Sequence, residues 1–296
     1  MVSPAHGPVP VTAPVPDPMS PGRSARLAVL GHPISHSLSP VLHAAAAQAL
    51  GLDWDYRRFD VQADQLEAFV AQVRHDWLGL SLTMPLKRPI VPLLDRRDAL
   101  VTELQVANTV RFEDGALHGA NTDVIGFEWL LRGPVAAGCA QAVLLGSGAT
   151  ALSAFAALDR VGVHRVTSYA RTPGHADPLR AYAAAHGLTF DVELLDRRPS
   201  SAPADAVVIS TLPPGAADGL RFHPVAGQLL IDVSYGASTA PLVASWRNEG
   251  GRAHDGTALL IEQALAQDAF FLTGDPRADV PGLDRARAAM QAAVAR

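Results

Sequence analysis

The chain has 296 residues, of which 48% are hydrophobic and 18% charged, so it is long enough for two domains and can bury a sizeable core. Its formal charge is −5 and its arginines are scattered, which excludes the basic stripe that a nucleic-acid partner requires. The single cysteine, Cys139, cannot form an internal disulfide and favours a packing role in a reducing, cytoplasmic compartment.

The first 24 residues are rich in proline and small side chains. They lack the continuous apolar core of a signal peptide, and repeated prolines oppose a helix. We therefore expect a disordered tail. No later apolar run reaches the roughly 20 residues that a membrane span needs, so no membrane association is predicted.

From Arg26 onward, short apolar runs alternate with helical patterns, which is typical of βαβ units around a mostly parallel sheet. A first strand at 26–31 precedes a helix with Ser39 as N-cap and Pro40 at its first position, and this helix ends at Gly51. The series continues with a strand at 53–61, a helix at 63–73, a strand at 77–83, and a hairpin of 107–112 with 116–121.

A glycine loop opens a second α/β series. Gly146-x-Gly148-x-x-Ala151 stands between an apolar strand and a helix. The glycines permit a tight turn and let backbone N–H groups approach a pyrophosphate at the helix N-terminus. The pattern predicts a dinucleotide site, although a strand-to-helix turn also uses glycine for local reasons.

The end of the next strand, at 165–171, bears on the choice of dinucleotide. NAD sites usually offer a carboxylate there, whereas this chain offers Arg171 and Thr172. A guanidinium suits a 2′-phosphate, so NADP is favoured. The alternative is that Arg171 is a solvated loop residue. The series then continues with a helix at 176–186, strands at 205–211 and 229–235, and two final helices at 257–274 and from 283.

All the basic residues are arginine except Lys87, in the stretch Ser-Leu-Thr-Met-Pro-Leu-Lys-Arg-Pro at 81–89. This stretch follows the carboxyl end of a strand, where open α/β sheets place their ligands. Oxidation of an alcohol needs a group that takes its proton, and arginine cannot serve because its pKa stays above about 12. Lysine can, so Lys87 is a candidate proton-transfer group, with an isolated surface lysine as the alternative.

A metal site is not expected. His32, His36 and His43 lie close in sequence, but Pro33 and Pro40 interrupt any common helical face, and no acidic residue completes the set.

Five motifs, in this order and spacing, resemble the shikimate dehydrogenase family. They lie at 31–43, 81–87, 107–110, 119–127 and 144–151, and the resemblance runs from about Leu27 to the C-terminal helices. It implies an α/β fold with an N-terminal substrate domain, 25–121 plus 256–296, and a Rossmann-type NADP-binding domain, 122–255, with the active site in the cleft between them. It further implies an NADP-dependent oxidoreductase that reversibly reduces 3-dehydroshikimate to shikimate, a small-molecule substrate on the route to chorismate and the aromatic amino acids.

The resemblance also implies roles for individual residues. Lys87 and Asp123 would form the catalytic pair, although Asp123 could instead merely cap a helix. The implied substrate ligands are Ser37 and Ser39 for the carboxylate, Thr83, Asn108 and Gln263 for the hydroxyls or ring edge, and Tyr235 to close the site. The implied cofactor ligands are Gly146, Ser147, Gly148, Ala149, Arg171 and Thr172, with Leu259 beside the nicotinamide.

Three residues depart from the family pattern. Ser81 replaces a common Asn before Thr83, which makes the substrate loop the first place to look for altered preference. Ala170 replaces an Asn, and His175 stands near the position of a second arginine, which weakens the expected discrimination between NADP and NAD and could make it pH-sensitive.

Two other functions stay open at this stage. One is a quinate/shikimate or aminoshikimate-type dehydrogenase, against which Ser37, Ser39 and Arg171 argue. The other is a non-catalytic dinucleotide-binding sensor on the same fold, since fold alone never establishes activity. Monomer and homodimer are both compatible with the sequence.

Overall fold

The structure, a computed structural model, describes residues 24–213, 215–217, 219–236 and 240–295. Apart from Ser24, the predicted N-terminal tail lies outside the described residues. The strands are β1 (Ala25–Gly31), β2 (Trp54–Asp60), β3 (Gly79–Leu82), β4 (Arg96–Arg97), β5 (Thr109–Glu113), β6 (Ala116–Ala120), β7 (Gln141–Leu145), β8 (Arg165–Ala170), β9 (Thr189–Leu194), β10 (Ala206–Ser210), β11 (Leu229–Asp232) and β12 (Arg252–His254).

The helices complete the described elements. They are α1 (Ser39–Leu50), α2 (Leu66–Val73), α3 (Ala99–Leu104), α4 (Thr122–Ala136), α5 (Ala149–Arg160), α6 (Asp177–His186), α7 (Pro241–Asn248), α8 (Gly256–Thr273) and α9 (Leu283–Val294).

The first sheet has six strands in the order β2-β1-β3-β5-β6-β4. Strand β1 pairs in parallel with β2 and β3, whereas β5 runs antiparallel to both β3 and β6. The predicted hairpin is confirmed: Asp114 and Gly115 have φ angles of 51° and 75°, which the two-residue turn between β5 and β6 requires.

The second sheet is entirely parallel, in the order β12-β11-β10-β7-β8-β9. Its central strand β10 is buried along its whole length, as expected when helices cover both faces of a parallel sheet. Strand β7 lies between β10 and β8, so the chain changes direction across the sheet at this strand, and helix α5 follows it. The α/β class is confirmed, and the second sheet has the doubly wound arrangement of a dinucleotide-binding domain.

The C-terminal helices return to the first sheet. Apolar side chains of α8 and α9, including Leu265 and Met290, pack with Leu42 and Ala46 of α1. Phe271 of α8 also packs against the buried face of β1. This packing supports our proposed assignment of 256–296 to the same unit as 25–121, with 122–255 as the second unit.

One helix boundary differs from the prediction. Leu38, not Ser39, is the N-cap of α1, and no side chain of Leu38 caps the helix. The backbone N–H of Ser39 instead donates to Oγ of Ser37 at 3.3 Å. The Ser39 hydroxyl is therefore not used as an N-cap.

Strand β9 was not predicted. Its residues alternate between exposed and half-buried, because it is the last strand of its sheet, so no fully apolar run marks it. Within the described ranges, no helix is both long enough and apolar enough to cross a membrane.

Candidate active site

Lys87 and Asp123 lie in contact. The Nζ atom of Lys87, in the turns that follow β3, donates to Oδ2 of Asp123 at 2.6 Å. Their side chains are only 14% and 7% exposed. Asp123 occupies the first turn of α4, where the helix dipole stabilises a negative charge. The N-cap of that helix is Asn121, so the interpretation of Asp123 as a mere cap is not supported.

Asn108, directly before β5, holds the other oxygen of the carboxylate. Its Nδ2 donates to Oδ1 of Asp123 at 2.9 Å and to Oε1 of Gln263 at 3.2 Å. Its own Oδ1 accepts the backbone N–H of Thr122 at 2.8 Å, which fixes the orientation of the amide. The carboxylate of Asp123 is thus bound through both oxygens, and Lys87 is held in one position.

A cavity of about 180 Å³ opens in front of this pair, between the two sheets. Residues predicted from the sequence for catalysis and substrate binding all line it, together with Leu259. They are Ser37, Ser39, Thr83, Lys87, Asn108, Asp123, Tyr235 and Gln263. The lining also includes Ser81, whose departure from the family pattern was noted above, and Gln267 and Thr150, which the sequence did not single out.

Thr150 connects the two halves of the site. It is the second residue of α5, directly after the glycine loop, and its Oγ1 lies 3.4 Å from Nζ of Lys87. The only lysine of the chain is therefore placed between the first sheet and the dinucleotide loop of the second. Thr150 lies within the glycine motif, and this position was the one signal in the sequence that could have indicated it.

The hydroxyl groups of Ser37, Ser39 and Tyr235 form another part of the cavity lining, here called the hydroxyl wall. Ser37 and Ser39 are buried, and Tyr235 follows β11. Burial raises the pKa of Tyr235, and the neighbouring Ser37 hydroxyl lowers it in part, so the phenol stays protonated at neutral pH. The guanidinium of Arg58, which does not line the cavity, donates to the backbone carbonyls of Ser35 and Ser37, a contact that no local sequence pattern indicates.

The glycine loop has the geometry that a pyrophosphate needs. Gly146 has φ of +114°, and a Cβ there would lie 2.5 Å from Oγ1 of Thr211. No atom lies within 4 Å of a Cβ built on Gly148, so a ligand can approach its backbone closely. Helix α5 begins at Ala149, with its N-terminus at this opening. Ser147, between the two glycines, is half-buried.

Arg171 and Thr172 do not line the cavity. They lie exposed at the carboxyl end of β8, which pairs with β7, the strand that carries the glycine loop. No carboxylate stands between 171 and 175. These residues therefore suit a phosphate group bound beyond the pyrophosphate rather than a bare ribose. Within the described part of the chain, no group of three or more His, Cys, Asp or Glu side chains is placed to hold a metal ion.

Two α/β sheets that share a polar cleft, one of them with a glycine loop beside a lysine–carboxylate pair, define a dinucleotide-linked oxidoreductase. Residues 29–110 match the family described as shikimate dehydrogenase substrate binding domain. The chain is 35% identical to the shikimate dehydrogenase (NADP(+)) of Rubrobacter xylanophilus, over 90% of this chain and 96% of that relative. It therefore belongs to the shikimate dehydrogenase family.

Solved structures of the family have the same fold. The shikimate dehydrogenase of Mycobacterium tuberculosis is 33% identical, covers 92% of this chain and 99% of its own, and superposes with a TM-score of 0.75. The Thermus thermophilus enzyme in complex with NADP(H) and shikimate is 27% identical, with coverage of 91% and 99% and a TM-score of 0.72.

Proposed function

We propose that this chain is an NADP-dependent shikimate dehydrogenase, which reversibly reduces 3-dehydroshikimate to shikimate for the synthesis of chorismate and the aromatic amino acids. The observation that carries the proposal is the Lys87–Asp123 pair, 2.6 Å apart, at the wall of a polar cavity beside the glycine loop. Membership of the family and the NADP(+)-dependent relatives support it.

The residues of the second sheet suit NADP(H). The backbone of Gly146, Ser147, Gly148 and Ala149 would hold the pyrophosphate at the N-terminus of α5. Arg171 and Thr172 would bind the 2′-phosphate through charge-assisted hydrogen bonds. Leu259, which lines the cavity, would pack beside the nicotinamide. When bound, NADPH supplies the hydride that the substrate carbonyl carbon receives.

Lys87 handles the proton. In the direction of reduction, its ammonium group donates a proton to the carbonyl oxygen of the substrate as negative charge develops there. In the direction of oxidation, the neutral amine accepts the hydroxyl proton. Asp123 orients Nζ and accepts a hydrogen bond from a neighbouring substrate hydroxyl, while Asn108 keeps the carboxylate in place.

The hydroxyl wall would bind the rest of the substrate. The Ser37 and Ser39 hydroxyls donate to the substrate carboxylate, and Tyr235 covers it. The guanidinium of Arg58 holds the carbonyls of the Ser35–Ser37 segment and adds positive charge behind it. Thr83, Asn108 and Gln263 bind hydroxyls or the ring edge.

A matrix of two substrates and two cofactors tests the proposal. Purified protein is mixed with shikimate or quinate and with NADP or NAD, and formation of reduced nicotinamide is followed by absorbance. We expect the fastest turnover with shikimate and NADP. Faster turnover with quinate and NAD would identify a quinate dehydrogenase instead, and binding of both ligands without turnover in any pair would identify a sensor.

The proposal also covers the oligomeric state and the cellular location. We propose that the protein acts as a monomer or homodimer, which sedimentation analysis distinguishes. The single cysteine, Cys139, is half-buried and favours a cytoplasmic, reducing location.

A further inference from the structure

A buried chain of polar side chains runs from the cavity into the first unit. Ser81, at the cavity wall, contacts Tyr56 and Gln267, and Gln267 contacts His43, which pairs with Asp268. His43 and Asp268 are fully buried, and Gln267 and Ser81 are 2% and 3% exposed. Neither His43, Asp268 nor Tyr56 takes part in the mechanism described above.

The orientation of the Gln267 amide follows from a backbone group. Its Nε2 lies 3.3 Å from the carbonyl oxygen of Asn108, and a carbonyl only accepts hydrogen bonds. The amide nitrogen must therefore face Asn108. The amide oxygen, Oε1, consequently faces the Ser81 hydroxyl at 2.9 Å and Nε2 of His43 at 3.2 Å.

This orientation fixes the hydrogens of the neighbours. Because Oε1 has no hydrogen, both Ser81 Oγ and His43 Nε2 must donate to it. Nδ1 of His43 lies 2.6 Å from Oδ1 of Asp268, and the other carboxyl oxygen has no hydrogen-bond partner among the described residues. Whichever of the two groups holds the shared proton, Nε2 of His43 keeps its own hydrogen. Burial raises the pKa of Asp268, which favours a pair that retains this proton.

Tyr56 completes the arrangement from the other side. Its hydroxyl donates to Ser81 Oγ at 2.7 Å, and its ring stacks on His43 with centroids 4.1 Å apart. Burial raises the pKa of Tyr56 far above the ordinary range, so it remains a donor. The hydroxyl of Ser81, a residue that lines the cavity, has then used its hydrogen and one lone pair within the protein, so only its second lone pair is left for a ligand.

We propose that Gln267, held by His43 and Asp268, is a positioning residue that binds the Ser81 hydrogen, so that Ser81 can only accept a hydrogen bond from a ligand. This part of the pocket therefore selects a ligand group that donates, namely an alcohol hydroxyl. The inference rests on the proposed function, and it states what the serine at position 81 would change in the binding of a ligand. An asparagine at this position would carry an amide that also donates, whereas Ser81 rejects a ligand atom that only accepts.

Calorimetric titration of ligands in the absence of cofactor tests whether Ser81 only accepts a hydrogen bond from the ligand. The ligands are shikimate and analogues in which one ring hydroxyl at a time is replaced by fluorine, an atom that cannot donate. At one position we expect the wild type to prefer the hydroxyl by about 10-fold or more, as expected for one lost hydrogen bond with opposed lone pairs. Gln267→Met frees the Ser81 hydrogen to turn towards the ligand, so the preference should fall about 5-fold or more, and Ser81→Ala should abolish it.

The control variant is Ser153→Ala, which removes another fully buried serine hydroxyl, on α5, and should leave the preference for the hydroxyl ligand unchanged. Equal weakening of every ligand by Gln267→Met, without a change in preference, would overturn the inference while leaving the dehydrogenase proposal intact. Failure of the wild type to bind shikimate at all would overturn both.

A neutron structure of the wild type provides a test that needs no variant. It should show deuterium on Nε2 of His43 and the Ser81 deuterium directed at Gln267. A bare Nε2, or a Ser81 deuterium directed into the cavity, would contradict the proposed arrangement.

Discussion

The Nζ atom of Lys87 lies 2.6 Å from Oδ2 of Asp123, while the second oxygen of the same carboxylate accepts a hydrogen bond from Asn108 at 2.9 Å. The carboxylate is therefore held from both sides, and the lysine that it orients is only 14% exposed. Hydride transfer to a carbonyl requires a proton donor with one fixed position, since the developing charge must be met at a defined point, and this is the role proposed for Lys87.

The variant Lys87→Met tests this pair. Turnover should fall by about 100- to 10,000-fold, the usual contribution of a general acid–base group, because methionine fills the space but carries no proton. Affinity for NADPH, measured by fluorescence titration, should stay close to that of the wild type. Arg88→Met is the matched control, since Arg88 is the next residue, is exposed and should tolerate the change. A parallel loss of NADPH affinity in Lys87→Met would indicate a structural role.

The two serines of the hydroxyl wall should respond differently to removal. Ser39→Ala should raise the KM for shikimate about 5- to 10-fold and leave the start of α1 intact, because its hydroxyl is not used as an N-cap. Ser37→Ala should raise the KM similarly and also cost about 1 kcal/mol in the free energy of unfolding, because Ser37 Oγ accepts the backbone N–H of Ser39. Steady-state kinetics and urea denaturation measure both effects. Equal stability losses in the two variants would contradict the observed boundary of α1.

Cofactor preference should depend on Arg171. Arg171→Ala should raise the KM for NADPH by about 10- to 100-fold, the value of charge-assisted hydrogen bonds to a phosphate, and leave the KM for NADH unchanged. Arg165→Ala, at the opposite end of β8 and also exposed, serves as the control. An unchanged ratio of the two KM values would mean that Arg171 is a solvated loop residue.

The buried carboxylate of Glu128 and its two arginine partners should make the free energy of unfolding depend on pH in the acid range. Glu128 of α4 accepts hydrogen bonds at 2.8 Å from Nη1 and Nη2 of Arg277 and from Nε of Arg160. Burial acts to raise the pKa of Glu128, but the two guanidinium groups outweigh it, and the net shift is downward. A lowered pKa in the folded state means that the stabilisation is complete above the unfolded pKa of about 4.3 and is lost as the pH falls through the lower folded value.

Glu128→Gln should therefore destabilise the protein at neutral pH by about 1–2 kcal/mol, a value reduced because both arginines are more than 40% exposed. The difference from the wild type should shrink as the pH falls below about 4. Urea denaturation across this range measures it. A difference in the free energy of unfolding that grows as the pH falls would contradict a lowered pKa of Glu128 in the folded state.

Local patterns in the sequence determined much of the fold. The alternation of apolar runs with helical periods predicts the α/β class, and the two turn residues Asp114 and Gly115 predict the β5–β6 hairpin, because both signals act over a few residues. The glycine loop after β7 is equally local. Lys87 stood out because it is the only lysine of the chain, but its partner Asp123 came from the resemblance to a family rather than from periodicity.

Contacts between distant segments could not be predicted in this way. Ser39 was wrongly expected to be an N-cap, because the loop before α1 folds so that the N-cap falls one residue earlier, on Leu38, and the Ser37 hydroxyl accepts the N–H of Ser39. Arg58 and Gln267 gave no local signal, and Thr150 had only its place within the glycine motif, since the role of each depends on which side chains the two sheets bring opposite it.

The sequence by itself thus determined the class of fold, the family and the residue types of the site. Only the tertiary structure decided which hydrogen bonds those residues use internally and which remain for a ligand. His43 and Asp268 are 225 positions apart, and a buried pair forms between them because folding removes both from water and leaves each as the other's partner. The acceptor character that we propose for Ser81 rests on that pairing and on the Asn108 carbonyl, neither of which can be seen in the order of the residues.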